Sequence, residues 1–259
     1  MPPPLEPETY LRHFVSAADA AGFKVMEYGL AGNLPLLAAE RQPDAPPCMA
    51  IYLSAGIHGN EPAGPLALLS LISQGWYDPG IAWHVLPLLN PRGMAAGTRE
   101  SPDGLDLNRD FREGLAAETR AHREWLARMA WRYDAALSLH EDWEASGFYL
   151  YEMHEPKMPR PGVAILQAVE PLTGLDHSTV IDGFPAQNGL LRPHADVSLE
   201  TVAQWPEQLY LRAHHTTLSL TFETPTALPI ELRVRAQTVA IKTAVNQLLA
   251  PRMENSYEI

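Results

Sequence analysis

Residues Met49–Ala55 form a continuous apolar run of strand length, and this run constrains the fold more than any other segment. A strand without polar alternation has to be covered on both faces, as in the interior of a sheet flanked by helices. The chain then turns through Gly56-Ile57-His58-Gly59-Asn60-Glu61-Pro62. Pro62 suits the first turn of a helix, with Asn60 or Glu61 as its cap. That helix is expected to run to about residue 73 and to stop near Gly75.

The remaining periodicity repeats this alternation. Residues 8–21 read as an amphipathic helix with Tyr10, Leu11, Phe14, Val15 and Ala18 on one side. Residues 24–28 and 34–40 read as strands joined by a Gly32-Asn33 hairpin turn. Strands are expected at 81–89, 135–139, 148–151 and 218–222, and helices at 115–131, 163–172 and 231–249. Between them, 90–114 is a polar segment rich in Gly, Arg and Asp, and a loop that long in a compact domain is usually functional. Residues 174–206 carry no pattern of either period. The class is α/β: a single domain over residues 1–259, built on a central mixed, largely parallel β-sheet flanked by helices.

Charge narrows the partners. The formal net charge of -12 disfavours nucleic acid, whose phosphates need clustered Lys and Arg. With one cysteine no intrachain disulfide forms, and Cys48, at the head of the apolar run, reads as a small buried core residue. The start, Met1-Pro2-Pro3-Pro4-Leu5-Glu6, has no basic segment and no apolar core, so no signal peptide is read there. No apolar run is long enough to span a bilayer, and a cytoplasmic enzyme is the default expectation.

Three polar residues sit where predicted strands end: His58, His140 and Glu223. In open α/β sheets, ligands bind in the crevice beyond the carboxyl ends of the strands. His58 and Glu61 form a His-x-x-Glu pair in the strand-to-helix turn. Imidazole nitrogen and carboxylate oxygen are both good zinc donors, and a catalytic zinc site takes three protein ligands and leaves a position open. Alone, the pair reads more readily as a surface turn than as a metal site. His140 is the best candidate for the third ligand, against a reading as a hydrogen-bonded core histidine. Glu223 ends an apolar strand just before Pro225; a carboxylate buried near a metal suits a general base, whereas a bland one would pair with an arginine. The 90–114 segment holds Asn90-Pro91-Arg92-Gly93, Arg99 and Gly104-Leu105-Asp106-Leu107-Asn108-Arg109, which could bind anions or be a solvated loop.

Taken in order, these elements resemble the carboxypeptidase A-like zinc peptidases: strand-His-x-x-Glu, Asn-Pro-x-Gly, Arg, Gly-x-Asp-x-Asn-Arg, strand-His, strand-Glu. The set runs from Gly56 to Pro225, about two-thirds of the chain. The resemblance implies a zinc carboxypeptidase-like fold and one Zn2+ per chain, held by His58, Glu61 and His140. It makes Asp106 the carboxylate that orients His58, and Arg99 the arginine that stabilises the oxyanion. Asn108 and Arg109 become the pair that binds the substrate's terminal carboxylate, and Glu223 the general base.

The chain also departs from the pattern. The stretch between Glu61 and His140 is short, as in the amidase-like bacterial members and the aspartoacylase and succinylglutamate desuccinylase relatives. The family's mobile tyrosine has no matching motif; Tyr210 is nearest by spacing, with Trp205 close by. The leading expectation is a metallocarboxypeptidase or peptide amidase acting on a peptide with a free carboxylate. An N-acyl-amino-acid deacylase and a catalytically silent binding module are the alternatives.

Overall fold

A computed structural model describes residues 5–155, 160–193 and 202–254 of the 259-residue chain. The first helix, α1 (Pro7–Ala20), starts where Glu6 accepts hydrogen bonds from the backbone N–H groups of Glu8 and Thr9 at 3.0 and 2.7 Å, with Pro7 in the first turn. Its buried stripe is Tyr10, Leu11, Phe14 and Ala18, close to the face predicted from periodicity. The hairpin β1 (Lys24–Ala31) and β2 (Leu34–Arg41) follows, in antiparallel register around Gly32-Asn33.

The centre of the fold is β3 (Met49–Ala55), buried at every position. It pairs in parallel with β4 (Ile81–Leu86) on one side and β5 (Ala135–Asp142) on the other. Outside β5 lies β10 (Leu218–Pro225), also parallel, and then the antiparallel β6 (Tyr149–His154). Three short strands, β7 (Val180–Ile181), β8 (Phe184–Gln187) and β9 (Leu190–Leu191), close that edge. The ten strands form one mixed sheet in the order β1-β2-β4-β3-β5-β10-β6-β9-β8-β7, with parallel pairs in its centre and between β6 and β9 and antiparallel pairs elsewhere.

Helices cover both faces. On one side α1, α2 (Ala63–Ser73), α5 (Gly162–Thr173) and α7 (Ile230–Glu254) bury Ile51, Leu53, Leu137, Leu139, Leu220 and Phe222. On the other, α4 (Ala117–Met129) and α6 (Glu207–His214) cover Tyr52, Ala136 and Leu86. Each fully buried large apolar side chain contributes about 1.5–3 kcal/mol, so the two-sided burial of β3 anchors the molecule.

Several expectations are corrected. Cys48 is exposed, not core: it is the last residue of the Pro-rich loop, and the buried strand starts at Met49. The 90–114 segment is not irregular throughout, since it contains α3 (Pro91–Ala96) and a 3₁₀ turn at Leu107–Arg109. Helix α6 lies in a stretch to which no element had been assigned. No helix among the described residues is long and apolar enough to cross a membrane.

Candidate active site

The site is assembled at the carboxyl ends of β3, β5 and β10. His58 follows β3 directly, whereas His140 and Glu223 lie inside the last turns of pleat of their strands, which run further than expected. β10 places Glu223 in register with His140 on one side and Tyr149 on the other, so the three stand in one row across the sheet. Residues paired in this way project from the same face.

The turn that carries His58 and Glu61 is held by backbone bonds to two other segments. Leu89 and Asn90 donate to the carbonyls of Ala55 and Gly56 at 3.0 and 2.8 Å, and Gly59 donates to Arg99 at 3.3 Å. Asn90 is fully buried; its Oδ1 accepts from the Gly93 N–H at 2.9 Å, capping α3, while its Nδ2 donates to the Ile57 carbonyl at 3.3 Å. The Asn-Pro-x-Gly motif therefore braces the metal-site turn. Neither Asn60 nor Glu61 caps α2. The capping carboxylate is Glu141, which accepts from the Ala63 N–H at 2.8 Å and pairs with Arg233 of α7. Glu61 is thereby left to point at the histidines, and the Glu141 N–H donates to its Oε2 at 3.1 Å. Burial pushes the Glu141 carboxyl up to about 7, although Arg233 pulls the other way.

His58, Glu61 and His140 converge with almost no exposure, at 3%, 3% and 2%. His58 Nδ1 lies 2.6 Å from Glu61 Oε1, His140 Nδ1 lies 3.1 Å from Glu61 Oε2, and the two Nδ1 atoms are 3.3 Å apart. Among the described residues this is the one group of three side chains able to hold a metal ion. Three lone-pair atoms turned toward one another in a dry site repel unless a cation or a shared proton lies between them. Burial opposes charge on His58, but Glu61 and then Asp106 outweigh it and raise its pKa. Burial likewise opposes charge on Glu61, yet His58 and His140 hold its carboxyl below the usual range.

Polar groups also face the outer nitrogens. Asp106 Oδ1 stands 3.4 Å from His58 Nε2, and its other oxygen accepts from Arg99 Nε at 3.1 Å. Ser138 Oγ stands 3.3 Å from His140 Nε2. Arg99 also reaches to 3.8 Å from Glu61 Oε1, which brings its guanidinium to the rim of the triad. Glu223 Oε2 is buried with no hydrogen-bond partner among the described residues, and burial raises its pKa well above the carboxylate range despite the pull of His140.

The 3₁₀ turn presents Asn108 and Arg109. Asn108 Oδ1 accepts from the Glu207 N–H at 2.9 Å, which ties this loop to α6 and leaves the amide nitrogen as a donor. Arg109 is exposed, and its guanidinium donates to the Asn108 carbonyl at 2.9 Å. The acids that could have neutralised it are occupied: Asp103 pairs with Arg92 at 2.6 Å, and Asp110 accepts from the Leu115 and Ala116 N–H groups. Tyr210 is not brought into this group. Its ring packs on Phe111 and His214, with centroids 5.7 and 4.7 Å away, and beneath the Arg123 guanidinium. The sequence reading missed Tyr149, whose hydroxyl donates to Asp142 at 3.0 Å beside Glu223, and the buried Glu207. Pro206-Glu207 is a recognisable helix start, proline followed by an acid in the first turn, and could have pointed to α6.

Residues 47–180, just over half of the chain, match the sequence model of the succinylglutamate desuccinylase/aspartoacylase catalytic domain. The chain belongs to this family. Its fold is similar to that of a candidate metallopeptidase of Shewanella amazonensis SB2B, with a TM-score of 0.78 and 27% identity over 93% of this chain and 92% of that one. A metallo-carboxypeptidase of Burkholderia cenocepacia shares the fold at a TM-score of 0.70 and 17% identity, covering 94% of this chain and 69% of that one. Among curated proteins, Carboxypeptidase SOL1 of Arabidopsis thaliana is 31% identical over a stretch that covers 32% of this chain and 21% of the relative. The match thus spans about a fifth of that protein's length.

Proposed function

We propose that this chain is a zinc-dependent hydrolase that cleaves an amide bond next to a residue bearing a free carboxylate. The observation that carries the reading is the convergence of His58 and Glu61, from the turn after β3, with His140, from the end of β5, beside Glu223, whose Oε2 has no hydrogen-bond partner among the described residues. Tetrahedral zinc with bonds of about 2.0–2.1 Å keeps neighbouring ligand atoms about 3.3–3.4 Å apart. The 3.3 Å and 3.1 Å contacts to His140 fit that spacing, and rotating the Glu61 carboxylate relieves the 2.6 Å contact to His58.

Zinc held there would supply a Lewis acid and lower the pKa of a water from 15.7 to about 7. The chain's own groups do the rest. Glu223 accepts a proton from the attacking water at Oε2 and delivers it to the leaving amine; its raised pKa suits a group that must both take and release a proton. Arg99, positioned by Asp106, donates to the oxyanion as it forms, a contribution of about 3 kcal/mol for one such donor. Asn108 Nδ2 and the Arg109 guanidinium bind the substrate carboxylate as planar donors. In a chain with net charge -12, an arginine that forms no ion pair among the described residues, with only the more distant attraction of Asp106, is a local anchor for an anion.

The leading substrate is a peptide or peptide fragment, in line with the carboxypeptidase neighbours. The family match favours a second reading, removal of an acyl group from a small N-acylated amino acid. Both use the same water and the same base. A catalytically silent binding module is disfavoured because all three candidate ligands are present, buried and converging, with Glu223 in the next strand beside His140. A hydrolysis panel separates these readings. Acyl-amino acids are set against peptides with free and with amidated C-termini, with zinc supplied. Turnover of free-acid peptides supports the leading reading, turnover of acyl-amino acids alone supports the second, and none on either class favours the silent module.

A further inference from the structure

Glu207 opens α6 with its carboxylate completely buried. Three hydroxyls surround it. Tyr52 lies 2.6 Å from Oε1, and Ser54 and Ser138 each lie 2.8 Å from Oε2. The arginines of this region pair elsewhere, with Asp106, Asp103 and Glu141, and no ion pair among the described residues reaches Glu207. A buried carboxylate is costly unless its acceptors are satisfied and a positive group lies near. The group on this side able to carry positive charge is His140, reached through Ser138, whose Oγ is 3.3 Å from His140 Nε2.

Counting protons fixes the direction of this chain. Burial raises the Glu207 pKa, against the pull of Tyr52, Ser138 and Ser54. Three hydroxyls turned on its two oxygens are nonetheless the surroundings of an ionised carboxylate, which only accepts, and each hydroxyl has a single proton to give. Ser138 gives its proton to Glu207, so toward His140 its oxygen can only accept. The His140 proton therefore sits on Nε2, and the Nδ1 lone pair faces Glu61 and His58. His58 has a carboxylate, Asp106, beyond its outer nitrogen; among the described residues His140 Nε2 has none in direct contact and is served through a serine.

We propose that Glu207, acting through Ser138, is a positioning residue that fixes the tautomer and ring orientation of His140 and thereby sets the metal affinity of the site. The inference rests on the zinc reading of the triad and extends it to a residue about 70 positions further along the chain, on a different element. Outer partners of metal-bound histidines typically contribute about 10–100-fold in affinity.

The test is a zinc dissociation constant, measured on chelator-stripped full-length protein by competition with a chromophoric chelator near neutral pH. Glu207→Gln and Ser138→Ala are each expected to weaken zinc binding by about 10–100-fold. Gln keeps the shape but places an N–H where Ser138 must find an acceptor. Ser138→Ala leaves the Tyr52 and Ser54 bonds to Glu207 intact, so it tests the link even if the glutamine variant folds poorly. Because both act on one relay, the double variant should be no more than about threefold weaker than the weaker single. Nitrogen–proton correlation spectra of histidine-labelled protein should show His140 as the Nε2–H form in the wild type and a tautomer mixture in Ser138→Ala. Wild-type protein that binds zinc, with both single variants within about twofold of it, overturns the relay and leaves the metal site standing. Losses that multiply in the double variant also overturn it. A wild-type chain that binds no zinc removes the metal reading and this inference together.

Discussion

Gly59→Ala adds one methyl group between two candidate metal ligands, and the structure gives the size of the effect. A Cβ at Gly59 would lie 2.0 Å from the Gly93 carbonyl carbon, 2.3 Å from the Met94 nitrogen and 2.4 Å from the Gly93 oxygen. Carbon atoms in contact normally stay about 3.5–4.0 Å apart, so the two backbones must separate by about 1.5 Å. All three obstacles are main-chain atoms and cannot rotate away. Gly93 is pinned by the Asn90 cap and Gly59 by its bond to Arg99. Overpacking costs about 1–3 kcal/mol, and rigid backbone on both sides puts this site at the upper end, about 3 kcal/mol. For a chain of this size that lowers Tm by about 6–12 °C. The displaced turn carries His58 and Glu61 with it, so zinc affinity should fall more than about 10-fold. Gly75→Ala is the control: Gly75 has φ +61° but nothing within 4 Å, so it meets only backbone strain of about 1–2 kcal/mol, with zinc binding unchanged. Circular-dichroism melts of metal-free protein and zinc titrations of both variants measure the contrast. A Gly59→Ala protein that melts within about 2 °C of wild type and binds zinc equally well would refute the close-approach argument.

Other perturbations probe separate parts of the account. Glu223→Gln should keep its zinc while turnover falls by about 10²-fold or more; undiminished turnover removes Glu223 from the reaction. Arg109→Ala should lower kcat/KM by about 2–4 kcal/mol on a free-acid substrate and far less on its amidated counterpart, whereas equal losses on both would mean that Arg109 only holds the loop. His84 is buried among Trp125, Trp131 and Tyr133, and burial depresses its pKa from 6.5 to about 4. The unfolded chain therefore binds this proton first, so stability is full above pH 6.5 and falls as pH drops toward 4, by about 3 kcal/mol from this residue. Denaturant midpoints across that window should flatten in His84→Phe, and an unchanged slope would assign the acid sensitivity elsewhere.

What the sequence made legible follows from local physics. The burial of β3 could be read because six apolar residues among seven, with only the small Ser54 between them, leave no exposed face, and the His58 turn because Gly, Asn and Pro punctuate it. His140 and Glu223 stood out as polar residues at the ends of apolar runs. Interactions between distant segments could not be read this way. The cap of α2 comes from Glu141, about 80 positions away, and the partner of His140 comes from Ser138 backed by Glu207 on an unassigned helix. Spacing also put Tyr210 forward, but α6 packs that ring against Phe111 and beneath Arg123 instead. The exposed Cys48 shows the limit of apolar runs as signals: composition changes gradually where a loop enters a strand, while burial changes within one residue.

The central claim is that three buried side chains hold one zinc ion. The most direct test is elemental analysis of protein purified without chelators, alongside a variant with His58, Glu61 and His140 all changed to Ala. The account predicts about one zinc per wild-type chain and none in the variant. Full occupancy in the triple variant, or no metal in a wild-type protein offered zinc, would contradict it.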